Sequence, residues 1–109
     1  MGKLVRDKIP DIIRRSGRTP HVTKLDQQAY RSALGAKLLE EVAELDAAQT
    51  RDEIVDEAAD VLEVLIALAA THDVTLDTIV EAARKKRADR GGFDMRLWLE
   101  RADPETPAP

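Results

Sequence analysis

The chain has 109 residues, no cysteine, 35% charged residues and a net charge of −4, which fits one soluble domain and excludes disulfides, thiolate catalysis and sulfur-ligated zinc. The acidic balance argues against a nucleic-acid-binding module. The aromatics are Tyr30, Phe93 and Trp98 alone, so any core is aliphatic and thin, and association between copies is a natural way to bury more surface.

Residues 1–16 read as a leading segment and a short helix. Pro10 suits a first helical turn, and Gly17 suits a stop. Residues 19–25, with Pro20, Val22 and Thr23, read as extended, and Asp26 is a good N-cap for the helix that follows. A long helix is predicted over 27–48, with Leu34, Leu38, Val42 and Leu45 on its buried stripe. Gly35 sits awkwardly inside it, at a cost of about 1 kcal/mol against alanine.

Thr50, Arg51 and Asp52 break the pattern and cap a second long helix over 53–72. Its stripe is Ile54, Ala58, Val61, Leu62, Leu65, Leu68 and Ala69, widened by Val55, Ala59, Val64 and Ile66. A helix apolar round so much of its circumference sits centrally or at a subunit interface. The apolar-rich stretch 61–70 contains Glu63 and is too short to span a bilayer, and no apolar run follows the charged first residues as in a signal peptide. A cytoplasmic protein with no membrane partner is the expectation.

After a turn at 73–75, Thr75 caps a third long helix over 76–90, which Gly91 and Gly92 end. Residues 93–101 alternate partly (Phe93, Met95, Leu97, Leu99), which predicts a strand, and a small β-ribbon between 21–25 and 93–99 follows from it. Trp98 is expected to pack against the helices. The segment 103–109 lacks apolar anchors and is expected to be disordered, leaving 1–102 as a single domain.

Each of the first two long helices carries paired acids. Taking Leu38 as the centre of the buried face, Glu41 lies about 60° and Glu44 about 120° to one side, while Glu40 falls further round, towards solvent. Taking Ala58 as the centre on the next helix, Glu57 and Asp60 share one flank about 100° away. Antiparallel packing through a short connection lets the two acidic flanks face each other. Four carboxylates brought together repel unless neutralised, and a hard divalent cation such as Mg²⁺, Mn²⁺ or Ca²⁺ does that with oxygen ligands. In a chain with 21 acidic residues the same spacing also fits an ordinary solvated surface, and the pattern by itself leaves both readings open.

The run Lys37-Leu-Leu-Glu-Glu-Val-Ala-Glu-Leu, followed by Asp56-Glu-Ala-Ala-Asp-Val-Leu-Glu-Val, resembles the paired ExxE and ExxD motifs of the all-α nucleoside triphosphate pyrophosphohydrolases. That is the superfamily of MazG, the dimeric dUTPases and phosphoribosyl-ATP pyrophosphohydrolase. The opening Lys3-Leu-Val-Arg-Asp-Lys-Ile-Pro and the later Arg84-Lys-Lys-Arg-Ala-Asp-Arg-Gly-Gly-Phe resemble a compact MazG-like subgroup of house-cleaning enzymes. The resemblance implies an all-α bundle completed by dimerisation or as a homotetramer. It implies Mg²⁺, with Mn²⁺ as the alternative, and cleavage of a nucleotide between its α- and β-phosphates. By motif position it implies Glu41, Glu44, Glu57 and Asp60 as metal ligands, with Glu40 or Glu41 handling the attacking water.

Phosphoryl chemistry needs positive charge around the phosphate oxygens. Lys3, Arg6 and Lys8 at one end and Lys86, Arg87 and Arg90 at the other are candidates, joined by Lys37 on the acidic flank. Taken singly, most are better read as solvated surface charge. Arg6 and Lys8 gain weight from the Val-Arg-Asp-Lys-Ile-Pro motif, and Lys86 and Arg90 from the glycine pair they precede. His21 and His72 lack ligand spacing. Two further readings stand beside the house-cleaning one: hydrolysis of phosphoribosyl-ATP in histidine biosynthesis, and a non-catalytic helical oligomerisation module.

Overall fold

The computed structural model describes residues 2–105. Within them lie four helices and no strand, so the all-α expectation holds and the β-ribbon does not. Residues 21–25 have no regular structure. Residues 93–96 form a turn closed by Arg96 N–H donating to Phe93 O at 3.0 Å, with Arg96 in the left-handed region at φ 57. A period of two makes a strand only where a neighbour supplies the ladder, and a left-handed residue in mid-run interrupts the extended backbone. Trp98 is 88% exposed, against the expectation that it packs on the helices. The tail expected to be disordered falls mostly outside the described residues, and 103–105 carry no regular structure.

The chain divides into two compact units, Met1–Leu76 and Asp77–Pro109. The first holds α1 (Ile9–Arg15), α2 (Gln27–Ala47) and α3 (Arg51–Ala70). Pro10 lies in the first turn of α1, and Gly17 ends it at φ 89: its N–H donates to Arg14 O at 3.0 Å and that of Arg18 to Ile13 O at 3.3 Å. This pair of bonds satisfies carbonyls the helix would otherwise leave open. Asp26 caps α2 by accepting from Ala29 N–H at 2.8 Å, and Thr50 caps α3 by accepting from Glu53 N–H at 3.1 Å. The Glu53 carboxylate reaches back to Gln49 N–H at 3.3 Å, so the short connection between the two helices is held from both sides.

The α2–α3 hairpin is antiparallel. Arg31, near its open end, donates from Nη2 to Thr71 O at 2.7 Å, which ties the start of α2 to the end of α3. Asp73 takes the left-handed position after α3 at φ 58, with its N–H on Ala70 O and that of Val74 on Ala69 O, both at 3.1 Å.

Leu34 is the buried apolar residue of this unit among those described. Val61 and residues 64–69 are half-buried, whereas Ile54, Ala58 and Leu62, expected on the buried stripe of α3, are exposed, as is Val42 on α2. The physical reason is that α3 is apolar round much of its circumference but has α2 as its main helical neighbour, so a large part of that circumference meets no protein. The helix α4 (Leu76–Arg90), in the second unit from Asp77 on, ends at Gly91, φ 82, whose N–H donates to Arg87 O at 2.8 Å. No helix among the described residues is long and apolar enough to cross a membrane.

Gly35 lies inside α2, and a Cβ added there meets nothing within 4 Å. Gly35→Ala is therefore expected to stabilise the protein by about 0.5–1 kcal/mol, read as a higher urea midpoint at unchanged slope. A lower midpoint would mean that a second chain approaches α2 at this glycine.

Candidate functional site

One turn of α2 separates Glu41 from Glu44, and one turn of α3 separates Glu57 from Asp60. Antiparallel packing brings these two turns together. Carboxylate oxygens of Glu41, Glu44 and Glu57 lie within 4.8 Å of one another, and so do those of Asp56, Glu57 and Asp60. Glu57 belongs to both groups. The four expected ligands are thus gathered as two overlapping trios rather than one ring, with Asp56 as an added member. The sequence carried one signal for Asp56, namely that it stands four residues before Asp60 and so on the same helical face.

Glu41 is 6% exposed, the buried charged residue among those described. Its Oε1 lies 3.4 Å from Lys37 Nζ. Its Oε2, and Oε2 of Glu57, are buried with no hydrogen-bond partner. Burial pushes the Glu41 carboxyl above the usual range, the neighbouring Glu44 pushes it further by hydrogen bonding and charge, and Lys37 opposes both. Two buried carboxylate oxygens without donors, in a cluster short of positive charge, are the donor set that a hard divalent cation completes. The residues therefore fit a bound Mg²⁺ or Mn²⁺.

Beside this cluster, α2, α3 and the segment leading into α1 enclose a cleft of about 680 Å³, in the range of small-ligand sites. Its walls are of two kinds. Lys3, Arg6 and Lys8 come from the N-terminal segment and Lys37 from α2, interleaved with the acids Glu41, Asp60 and Glu63. Tyr30, Leu34, Val64 and Ala67 supply an apolar side. Arg6 crosses the cleft, with Nη2 donating to Asp60 Oδ1 at 2.7 Å. Asp7 also lines the cleft. Tyr30 and Glu63 were not singled out from sequence; Glu63 follows Asp60 by one turn, which is a signal in hindsight, and Tyr30 offered none.

Glu40 is exposed and pairs with Lys37, Oε2 to Nζ 3.7 Å, in keeping with its place towards solvent on the helix wheel. It belongs to neither acidic trio. Lys86, Arg87 and Arg90 are exposed on α4 of the second unit. There Arg87 lies against Gly92, where an added Cβ would come within 3.1 Å of its Nη2, and 3.9 Å from Asp94 Oδ2; Arg90 lies 3.9 Å from Asp89 Oδ2.

The profile of the family described as Phosphoribosyl-ATP pyrophosphohydrolase matches residues 9–87. The chain is also similar to an uncharacterized protein of Mycolicibacterium smegmatis, at 62% identity over 52 residues, which is 48% of this chain and 53% of that protein. It thus spans about half the length of the curated relative it matches. No solved structure matches it.

Proposed function

Because the chain belongs to the phosphoribosyl-ATP pyrophosphohydrolase family, we propose that it is a Mg²⁺-dependent pyrophosphohydrolase that converts a standard or damaged nucleoside triphosphate to the monophosphate and pyrophosphate. The observation that carries this reading is that Glu41, whose orphaned Oε2 is clustered with the orphaned Glu57, lines a cleft whose N-terminal wall carries Lys3, Arg6 and Lys8. The segment that bears the house-cleaning resemblance, residues 5–10, is the one that supplies that wall through Arg6 and Lys8. Phosphoribosyl-ATP is the second substrate reading, favoured by the family's description.

In this proposal Glu41, Glu44, Glu57 and Asp60 hold the cation, with Asp56 beside them. Mn²⁺ serves in its place. When bound, the cation supplies charge neutralisation at the phosphoryl oxygens and an acidified water. Lys3, Arg6, Lys8 and Lys37 hold the phosphate chain by charge-assisted hydrogen bonds, and the apolar side around Tyr30 leaves room for the nucleoside. Lys86, Arg87 and Arg90 of the second unit are proposed as phosphate ligands from the motif resemblance, with Lys86 and Arg90 gaining weight from their place before the Gly91-Gly92 turn. Glu41 is proposed to handle the proton of the attacking water, being the buried acid of the cluster. Glu40 is the alternative. Residues 1–102 are taken as one catalytic domain, working as a homodimer or homotetramer.

Pyrophosphate release from a panel of ribo- and deoxynucleoside triphosphates, their oxidised forms and phosphoribosyl-ATP, with and without Mg²⁺, tests the reading. Release confined to the Mg²⁺ arm supports it. Release from none, with no Mn²⁺ binding by calorimetry, would leave the helical oligomerisation module as the function.

A further inference from the structure

Asp60 has two claimants. It stands in an acidic trio with Asp56 and Glu57, yet its Oδ1 is already engaged by the Arg6 guanidinium at 2.7 Å. Arg6 is carried by a segment without regular structure ahead of α1, which lines the cleft with Leu4 and Val5, both half-buried. Its side chain is 59% exposed. A guanidinium has five N–H donors, and the contact with Asp60 uses one of its nitrogens. The remaining donors lie beside the cleft that takes the phosphates in the reading above.

We propose that Arg6 is the resident counter-ion of Asp60 and exchanges partners during binding. It neutralises the carboxylate until a divalent cation takes its place, and then turns its donors to the phosphate chain that arrives with the cation. The inference rests on the pyrophosphohydrolase reading and adds to it a positioning role for Arg6. The physical basis is competition: two cations for one carboxylate oppose each other, whereas a cation and a polyphosphate each draw Arg6 away from Asp60. A pairing this exposed is weak enough to be exchanged. Its loss relieves repulsion at the metal and removes a donor from the phosphate.

The two effects have opposite signs, and no merely structural role for Arg6 produces that. In calorimetry on the full chain, Arg6→Ala is expected to bind Mn²⁺ alone more tightly, by about three- to tenfold. In saturating Mn²⁺ it is expected to bind inorganic tripolyphosphate about tenfold more weakly. Arg6→Lys keeps the charge and should stay within about threefold of the parent for Mn²⁺. Hydrogen exchange of residues 3–8 supplies a readout independent of affinity: faster with Mn²⁺ alone, slower with Mn²⁺ and tripolyphosphate together. If Arg6→Ala binds Mn²⁺ as the parent does or more weakly, the exchange is overturned, as it is if tripolyphosphate affinity does not fall. A parent protein that binds no Mn²⁺ overturns the metal reading itself, and this inference with it.

Discussion

Glu41→Gln is expected to lower Mg²⁺-dependent pyrophosphate release by about a thousandfold or more, while making the protein more stable in a chelator rather than less. Both halves follow from one atom. Glu41 Oε2 is buried without a donor, and burial together with Glu44 disfavours its charged form. Gln keeps the shape, removes the charge and puts an amide donor where the carboxylate had only acceptors, relieving on the order of 1 kcal/mol, about 4 °C or more in midpoint at this chain length.

The pH dependence has a definite sign. A carboxyl whose folded pKa is raised holds its proton more tightly in the folded state than in the unfolded one. Its stabilising contribution is therefore greatest at low pH and is lost as pH rises from the ordinary carboxylate value through the raised one. The difference in stability between Glu41→Gln and the parent, measured in chelator, should grow across that window and then level off. Mg²⁺ should stabilise the parent increasingly over the same window, because metal ligands must be deprotonated, and should stabilise Glu41→Gln less, with no such rise across the window. An equal Mg²⁺ response in parent and variant would remove Glu41 from the metal site. A Glu41→Gln protein that unfolds at every pH would make the carboxylate structural.

Much of this candidate site is legible in the sequence, for local reasons. Asp26 caps the helix it was expected to cap, and the run 50–52 supplies the expected cap through Thr50, so that α3 begins at Arg51 rather than Glu53; capping is decided by three or four successive residues. Glu41 with Glu44, and Glu57 with Asp60, share flanks because helical spacing fixes them. What was hidden depends on contacts far apart in sequence. Arg6 and Asp60 are separated by 54 positions, and nothing near either residue announces the other. The division of the acids into two trios hinging on Glu57 depends on the register of α2 against α3, which no helix wheel contains. The strand expected over 93–99 failed for the converse reason: alternation is a local property, but a ladder needs a partner.

The apolar surface left open on the hairpin leads to the second large effect. Leu39 is 74% exposed on α2, and Ile54, Val55 and Leu62 are exposed on α3, while few residues of the first unit are buried at all. A chain that leaves so much aliphatic surface uncovered is expected to cover it with another copy of itself. Leu62→Glu and Leu39→Glu should each convert a dimer or tetramer to monomer in sedimentation at micromolar concentration. In an isolated chain these side chains have little burial to lose, so the direct cost to the fold should stay within about 0.5 kcal/mol. Any larger fall in thermal midpoint then measures what association contributes. The parent's midpoint should rise with protein concentration, and that of the glutamate variants should not, whether or not the separated chain folds fully. A parent that sediments as a monomer, with a midpoint independent of concentration, would show that α2 and α3 carry this apolar surface in water, and would confine the proposed site to what a single chain can build from Glu41, Glu57, Asp60 and the basic segment that lines the cleft.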